Sequence, residues 1–169
     1  KSFNQYYNKN ICKRTSEKRY FQIENYFHHT SKLIINKCIE NKINVIVIGN
    51  NKGWKQETNL GKKNNQNFQY VAFNNLIQKI KYKAEIEGIE VILTEEAYTS
   101  QASFYDNDIL PKYSETKPNF SGTRKKRGLY ITKDKFCLNA DVNGSLNIGR
   151  KVFPEFTGIR DKSVAATPV

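Results

Sequence analysis

The chain has 169 residues, enough for one domain with a sizeable core, and carries 28 Lys and Arg against 16 Asp and Glu, a formal net charge of +12. That field favours polyanionic partners. No run of about 18 apolar residues could span a bilayer, and the basic N-terminus lacks the apolar stretch of a signal peptide. Three widely spaced cysteines, Cys12, Cys38 and Cys137, read as cytosolic thiols rather than a disulfide framework. Methionine is absent, at position 1 as elsewhere, so the chain reads as a segment of a longer polypeptide.

Residues 1–19 are polar, basic and dotted with aromatics, without clear periodicity. From Tyr20 to Glu40, the residues Ile23, Tyr26, Phe27, Thr30, Leu33, Ile34 and Cys38 recur at helical spacing, which predicts an amphipathic helix. Ile43 to Ile48 is a short β-branched run ended by Gly49-Asn50-Asn51, which predicts a strand buried on both faces. Residues 49–67 read as a loop, longer and more basic than a connector needs. From Gln69 to Glu87 a second helical stripe runs through Phe73, Leu76, Ile77, Ile80 and Ala84, and Gly88 stands in the usual place for a helix C-terminal glycine. Glu90 to Thr94 is the next strand. Strand, helix and strand form a βαβ unit, so the two strands should lie side by side and parallel. Tyr98 to Lys135 reads as irregular, with a possible strand over 128–136; Val142 to Val152 is a final helix stopped by Pro154.

The stretch Asn139-Ala140-Asp141-Val142-Asn143-Gly144-Ser145-Leu146-Asn147-Ile148 carries the most information. Taken alone, an Asp at a helix start is more often a cap than a catalyst. Two other stretches change that reading. Val91-Ile92-Leu93-Thr94-Glu95-Glu96 is a strand ending in carboxylates, followed by Ala97-Tyr98-Thr99-Ser100-Gln101; upstream, Val45 to Gly49 breaks into a basic loop, Asn50-Asn51-Lys52-Gly53-Trp54. In this order, from about Arg19 onward, the chain resembles the C-terminal half of the nuclease domain of TnpB proteins. Those are transposon-encoded RNA-guided DNA endonucleases of RuvC (RNase H-like) fold, related to type V CRISPR effectors and to Fanzor proteins.

The resemblance implies carboxylates on a first strand, at a later strand end and at the start of the last helix. Together they would hold two Mg²⁺ ions about 4 Å apart, bracketing the attacking and leaving oxygens of a phosphodiester. Asp141 matches the last of these positions. The second acid departs from the pattern: TnpB proteins carry Glu on the strand before a loop ending in Lys-Gly-Met. Here the loop ends in Lys52-Gly53-Trp54, the aligned position is Val47, and no carboxylate stands between Glu40 and Glu57. Either the site is dead or the acid has moved. Glu95 and Glu96 end the neighbouring strand, where α/β sheets bind ligands. Fanzor and some TnpB-like proteins resemble this arrangement, with a substitute Glu a few residues before Thr-Ser; Glu96 has that spacing from Thr99-Ser100, so it is preferred to Glu95. The bland alternative is two solvated glutamates in a turn. The first acid belongs on a strand N-terminal to all of this, so the segment alone is expected to bind metal poorly and not to cut.

Relatives of this kind often insert a four-cysteine zinc ribbon after the Thr-Ser motif. Residues 99–137 offer only Cys137, so zinc is not expected, and the adjacent His28-His29 point to different helix sides. Elemental analysis of the purified protein should find no stoichiometric zinc, and a chelator should leave its melting curve unchanged. Lys52, Trp54, Lys55, Lys62 and Lys63, with Arg124, Lys125, Lys126 and Arg127, are candidate phosphate contacts, and a base could stack on Trp54. A solvated basic face is the alternative.

The expected architecture is therefore α/β, a partial RNase H-like (RuvC) fold with a mixed sheet, flanking helices and a degenerate zinc-ribbon insertion over 99–137. Residues 1–19 would continue an N-terminal region, 20–152 would be the C-terminal part of the nuclease domain, and 153–169 a tail. The implied function is that part of a transposon-associated, Mg²⁺-dependent DNA endonuclease. Its partners would be DNA and a guide RNA but no membrane, and its place cytoplasmic at the nucleoid, or nuclear in a eukaryote. Two alternatives stand beside it: a catalytically inactive nucleic-acid-binding remnant, and an unrelated basic α/β module in which Asp141 only caps.

Overall fold

The computed structural model describes residues 2–50, 63–113 and 115–156, with the backbone alone at 2–13, 16 and 63–72. Among them the elements run α1 (Ser2–Glu40), β1 (Val45–Gly49), α2 (Lys63–Ile86), β2 (Glu90–Thr94), β3 (Thr123–Lys126), β4 (Leu129–Ile131), β5 (Cys137–Asn139) and α3 (Ala140–Val152). The chain divides into two compact units, Lys1–Ile46 with Asn59–Val91 and Val47–Thr58 with Ile92–Val169. No described helix is long and apolar enough to cross a membrane.

In the first unit α1 and α2 pack side by side and parallel. Asn75 donates to Glu24 and Lys79 pairs with it, both at 2.7 Å, while further along Lys83 Nζ donates to His28 O and Ser31 Oγ, both at 2.6 Å. Burial, reinforced by Lys79 and Lys32, pushes the Lys83 ammonium below its ordinary pKa. Ser31, Ile35 and Cys38 of α1 are buried, as are Ile77, Ile80 and Ala84 of α2. Burial raises the Cys38 thiol pKa, which keeps it unreactive.

Two helix boundaries differ from expectation. α1 begins at Ser2 instead of Tyr20, because 2–19 lacks periodicity but also holds no Gly or Pro to break a helix. For the same reason α2 begins at Lys63 rather than Gln69. The inward stripe of α1 is also rotated: Tyr26 and Leu33 are 66% and 60% exposed, and Ser31 and Ile35 take the interior.

β1 and β2 pair as predicted for a βαβ unit. Glu90 N donates to Asn44 O at one end and Asn50 N to Thr94 O at the other, a parallel progression. Gly88, at φ +68°, terminates α2 with Gly88 N on Glu85 O and Ile89 N on Ala84 O. β1 is not buried on both faces: Val45 to Ile48 are half-buried and Gly49 alone is buried, because among the described residues this sheet has only two strands.

In the second unit β3, β4 and β5 form a separate antiparallel sheet in that order, so the expected single mixed sheet is two small sheets. Tyr130, Leu138 and Ala140 form its buried core, with Tyr105 and Phe136 against it. Within residues 99–137, where a degenerate zinc ribbon was expected, two aspartates clip the loops. Asp108 accepts from Ser103 N at 2.7 Å, Ser121 N at 3.0 Å and Ser121 Oγ at 2.6 Å, and Asp106 accepts from Lys133 N at 3.0 Å. Tyr130 OH donates to Gln101 O at 2.8 Å; burial, with Asp108 and Asp106 nearby, pushes its pKa up to about 12. Cys137 is a free, exposed thiol.

Candidate nuclease site

α3 carries the first candidate acid, and its N-terminus is built by Asn139. Asn139 Oδ1 accepts from Asp141 N at 2.8 Å and Val142 N at 3.3 Å, so Asn139 is the N-cap and the expectation that Asp141 could be the cap is corrected. Asp141 stands in the first turn, where the helix dipole favours negative charge. Its carboxylate is 81% exposed, with the Arg124 guanidinium 3.5 Å away, a surface pair worth at most about 1 kcal/mol.

Glu95 and Glu96 diverge, as neighbours in extended chain do. Glu95 is committed to Lys151, whose almost buried ammonium lies 2.7 Å away, and it also accepts from Tyr113 N at 3.4 Å. Glu96 turns instead toward the end of β1. A Cβ placed on Gly49 would lie 2.8 Å from Glu96 Oε2 and 2.9 Å from Ile148 Cδ1, so the Glu96 carboxylate sits over Gly49 and beside α3. Ile148 and Asp141, seven residues apart, share one face of α3 at a separation of about 10 Å along the axis.

What fixes these elements to one another was not read from the sequence. Asn143 and Asn147 are completely buried and spend their amides on the turn after β2. Asn143 accepts from Phe104 N at 3.0 Å and donates to Ala102 O at 2.8 Å; Asn147 donates to Thr99 O at 2.9 Å and to Ala102 O at 2.8 Å. Thr99 in turn donates to Glu96 O from both N (3.2 Å) and Oγ1 (2.8 Å). Arg150 extends the network to Asn147 Oδ1 and Asp108 O and lies over the Phe104 ring; burial lowers its pKa, against an opposing pull from Asp108. The signal available was the i, i+4 spacing of Asn143 and Asn147, which puts two amides on one helical face.

The basic residues divide. Arg124, Lys125 and Lys126 follow Thr123 in β3, an exposed strand at the edge of its sheet, and Arg127 follows in the turn to β4. A register shift between Arg124 and Lys126 marks a bulge, which re-aims side chains at that edge. The segment is a strand and not the irregular stretch expected, because pairing with β4 overrides the low strand propensity of Lys. Lys63 opens α2, and Lys52, Trp54, Lys55 and Lys62 lie outside the described residues. Replacing Arg124, Lys125, Lys126 and Arg127 together by Ala is expected to flatten the salt dependence of oligonucleotide binding. Each lost phosphate contact removes about 0.7 to 0.9 from the slope of log K against log salt. An unchanged slope would take the hairpin out of the interface.

Oxygen donors such as Asp141 and Glu96 suit a hard divalent cation in kind. They fall short in number: among the described residues no cluster of three or more His, Cys, Asp or Glu could hold a metal.

The described elements are those of a mixed α/β protein with small sheets and helices. Residues 73–148, from α2 through α3, match the family model described as the Cas12f1-like TNB domain. Among solved structures, the chain is similar to one described as the cryo-EM structure of the Cas12f1-sgRNA-target DNA complex, with a TM-score of 0.52 and 20% identity. That match covers 87% of this chain and 41% of the Cas12f1 chain, so the chain spans well under half the length of its structural relative. No curated protein matches it in sequence. Both findings support the resemblance to TnpB-like proteins: residues 73–148 are similar to a Cas12f1-like TNB domain and the chain is similar in fold to Cas12f1.

Proposed function

We propose that this chain is the C-terminal part of an RNA-guided, divalent-metal-dependent DNA endonuclease of TnpB type, with an RNase H-like core. The observation that carries the reading is the position of Glu96. Its carboxylate lies over Gly49 at the carboxyl end of β1, the strand on which related proteins carry their acid, and beside the helix that bears Asp141. Asp141 and Glu96 would each hold Mg²⁺ through a carboxylate oxygen, with further ligands from elsewhere in the protein; bound there, the metal would supply charge stabilisation for phosphodiester cleavage. The exposed β3 cations hold the phosphate backbone, and guide pairing supplies sequence choice. DNA and guide RNA are the partners, and a transposon-linked role at the nucleoid, or in a eukaryotic nucleus, follows from the same reading.

A second reading is a nucleic-acid-binding remnant, favoured by the lack of a third ligand among the described residues. The two separate in one assay. RNA that co-purifies with the intact protein is sequenced, matched double-stranded DNA is offered, and Mg²⁺ is added and then chelated. Cleavage that appears with Mg²⁺ and stops on chelation supports the nuclease. Binding of matched DNA with no metal-dependent cleavage supports the remnant.

A further inference from the structure

We propose that Gly49 is a positioning residue for Glu96, its missing side chain forming the seat of that carboxylate. The inference rests on the reading of Glu96 as a metal ligand. Gly49 is buried at the last position of β1. A Cβ there would stand 2.8 Å from Glu96 Oε2, 3.0 Å from Glu96 Cβ and 2.9 Å from Ile148 Cδ1, closer than such atoms pack. The backbone does not demand glycine, since Gly49 is not among the glycines of positive φ. What glycine supplies is room.

Alanine at this position would move a side chain rather than the fold. Two of the three contacts are with the far ends of flexible side chains, Glu96 and Ile148, which can turn aside; the third, Glu96 Cβ at 3.0 Å, needs a small give of the chain. The main chain of Glu96 can give only slightly, because Thr99 donates twice to Glu96 O and Asn147 donates to Thr99 O. The displacement therefore falls on the carboxylate, while Asp141, in the first turn of α3, keeps its backbone anchor through Asn139. Coordination tolerates little such movement, because a hard cation needs its oxygens at short, fixed distances.

The test compares wild type, Gly49→Ala, Glu96→Gln and the double variant Gly49→Ala/Ile148→Val in the intact, guide-loaded protein. Four quantities are measured: Mn²⁺ affinity by electron paramagnetic resonance, matched-DNA affinity, melting temperature and cleavage. Gly49→Ala is expected to lower the melting temperature only slightly, to keep the DNA affinity of wild type and to bind Mn²⁺ at least about 10-fold more weakly. Its cleavage rate is expected to fall by about 100-fold, the scale of an ångström-sized misplacement. Ile148→Val gives space to the helix side and none to Glu96, so the double variant should stay defective. Recovery in the double variant would assign the defect to packing at Ile148 and overturn the proposal. Wild-type Mn²⁺ affinity in Gly49→Ala, with the affinity lost in Glu96→Gln, would overturn the seat and leave Glu96 as a ligand. Unchanged affinity in Glu96→Gln would overturn both.

Discussion

Replacing Asn143 by leucine is expected to destabilise the second unit by about 3 kcal/mol, because it strips a buried main-chain N–H of its partner while keeping side-chain volume. Phe104 N donates to Asn143 Oδ1 in a completely buried setting, and leucine offers no acceptor. Ala102 O is less affected, since Asn147 Nδ2 also donates to it. For a chain of this size the loss corresponds to a melting temperature lower by about 10 °C, measurable by calorimetry. Asn143→Ala should cost somewhat more, because it leaves a cavity as well. If leucine instead matched wild type, the amide would be filling space and not satisfying the turn after β2.

The importance of these amides shows where the sequence stops being informative. Periodicity located α2, β2 and the Gly88 stop, since apolar residues at helical or strand spacing need no partner to be recognised. It located the helix of α1 over Tyr20–Glu40 but misplaced part of its inner face, where Ser31 lies inside as an acceptor for Lys83 while Tyr26 and Leu33 face out. A buried serine is polar, so no hydropathy stripe includes it. Asn143 and Asn147 are the same case more strongly: asparagine belongs on the surface by default, and its burial makes sense only once Thr99, Ala102 and Phe104 are known to face it. β3 was hidden for another reason. Four consecutive cations read as a solvated loop, and only the pairing with Leu129–Ile131 makes the first three, with Thr123, a strand.

In the region of the expected zinc ribbon, hydrogen bonds from side chains hold the loops. Two CxxC pairs would hold distant loops through one metal; here Asp108 reaches Ser103 and Ser121, and Asp106 reaches Lys133. Tyr130 closes the remaining gap through Gln101. The sequence did show the cysteines missing. It did not show that Asp106-Asn107-Asp108, with Asn107 at φ 55°, forms the turn that fastens these loops.

The largest effect on activity is expected from the carboxylates themselves. In the intact, guide-loaded protein, Asp141→Asn and Glu96→Gln should each lower cleavage by more than about 100-fold, beyond the loss typical of removing an outer-shell partner. DNA affinity should hardly change, since each substitution preserves shape and leaves the β3 cations in place. Folding should survive too. Asp141→Asn removes only an exposed pair with Arg124 at 3.5 Å, and the cap belongs to Asn139. Glu95→Gln is the contrasting variant. It weakens the partner of the nearly buried Lys151 ammonium, so it should lower the melting temperature while retaining most of the cleavage. The pattern thus separates a residue that binds metal from one that holds a loop: activity lost at constant stability for Glu96, stability lost at near-constant activity for Glu95. Were Glu95→Gln the inactive variant, the acid would still come from the end of β2, with Lys151 required to release it. Were neither glutamate to matter while Asp141 did, the second carboxylate would have to come from another part of the protein, and the seat at Gly49 would lose its meaning.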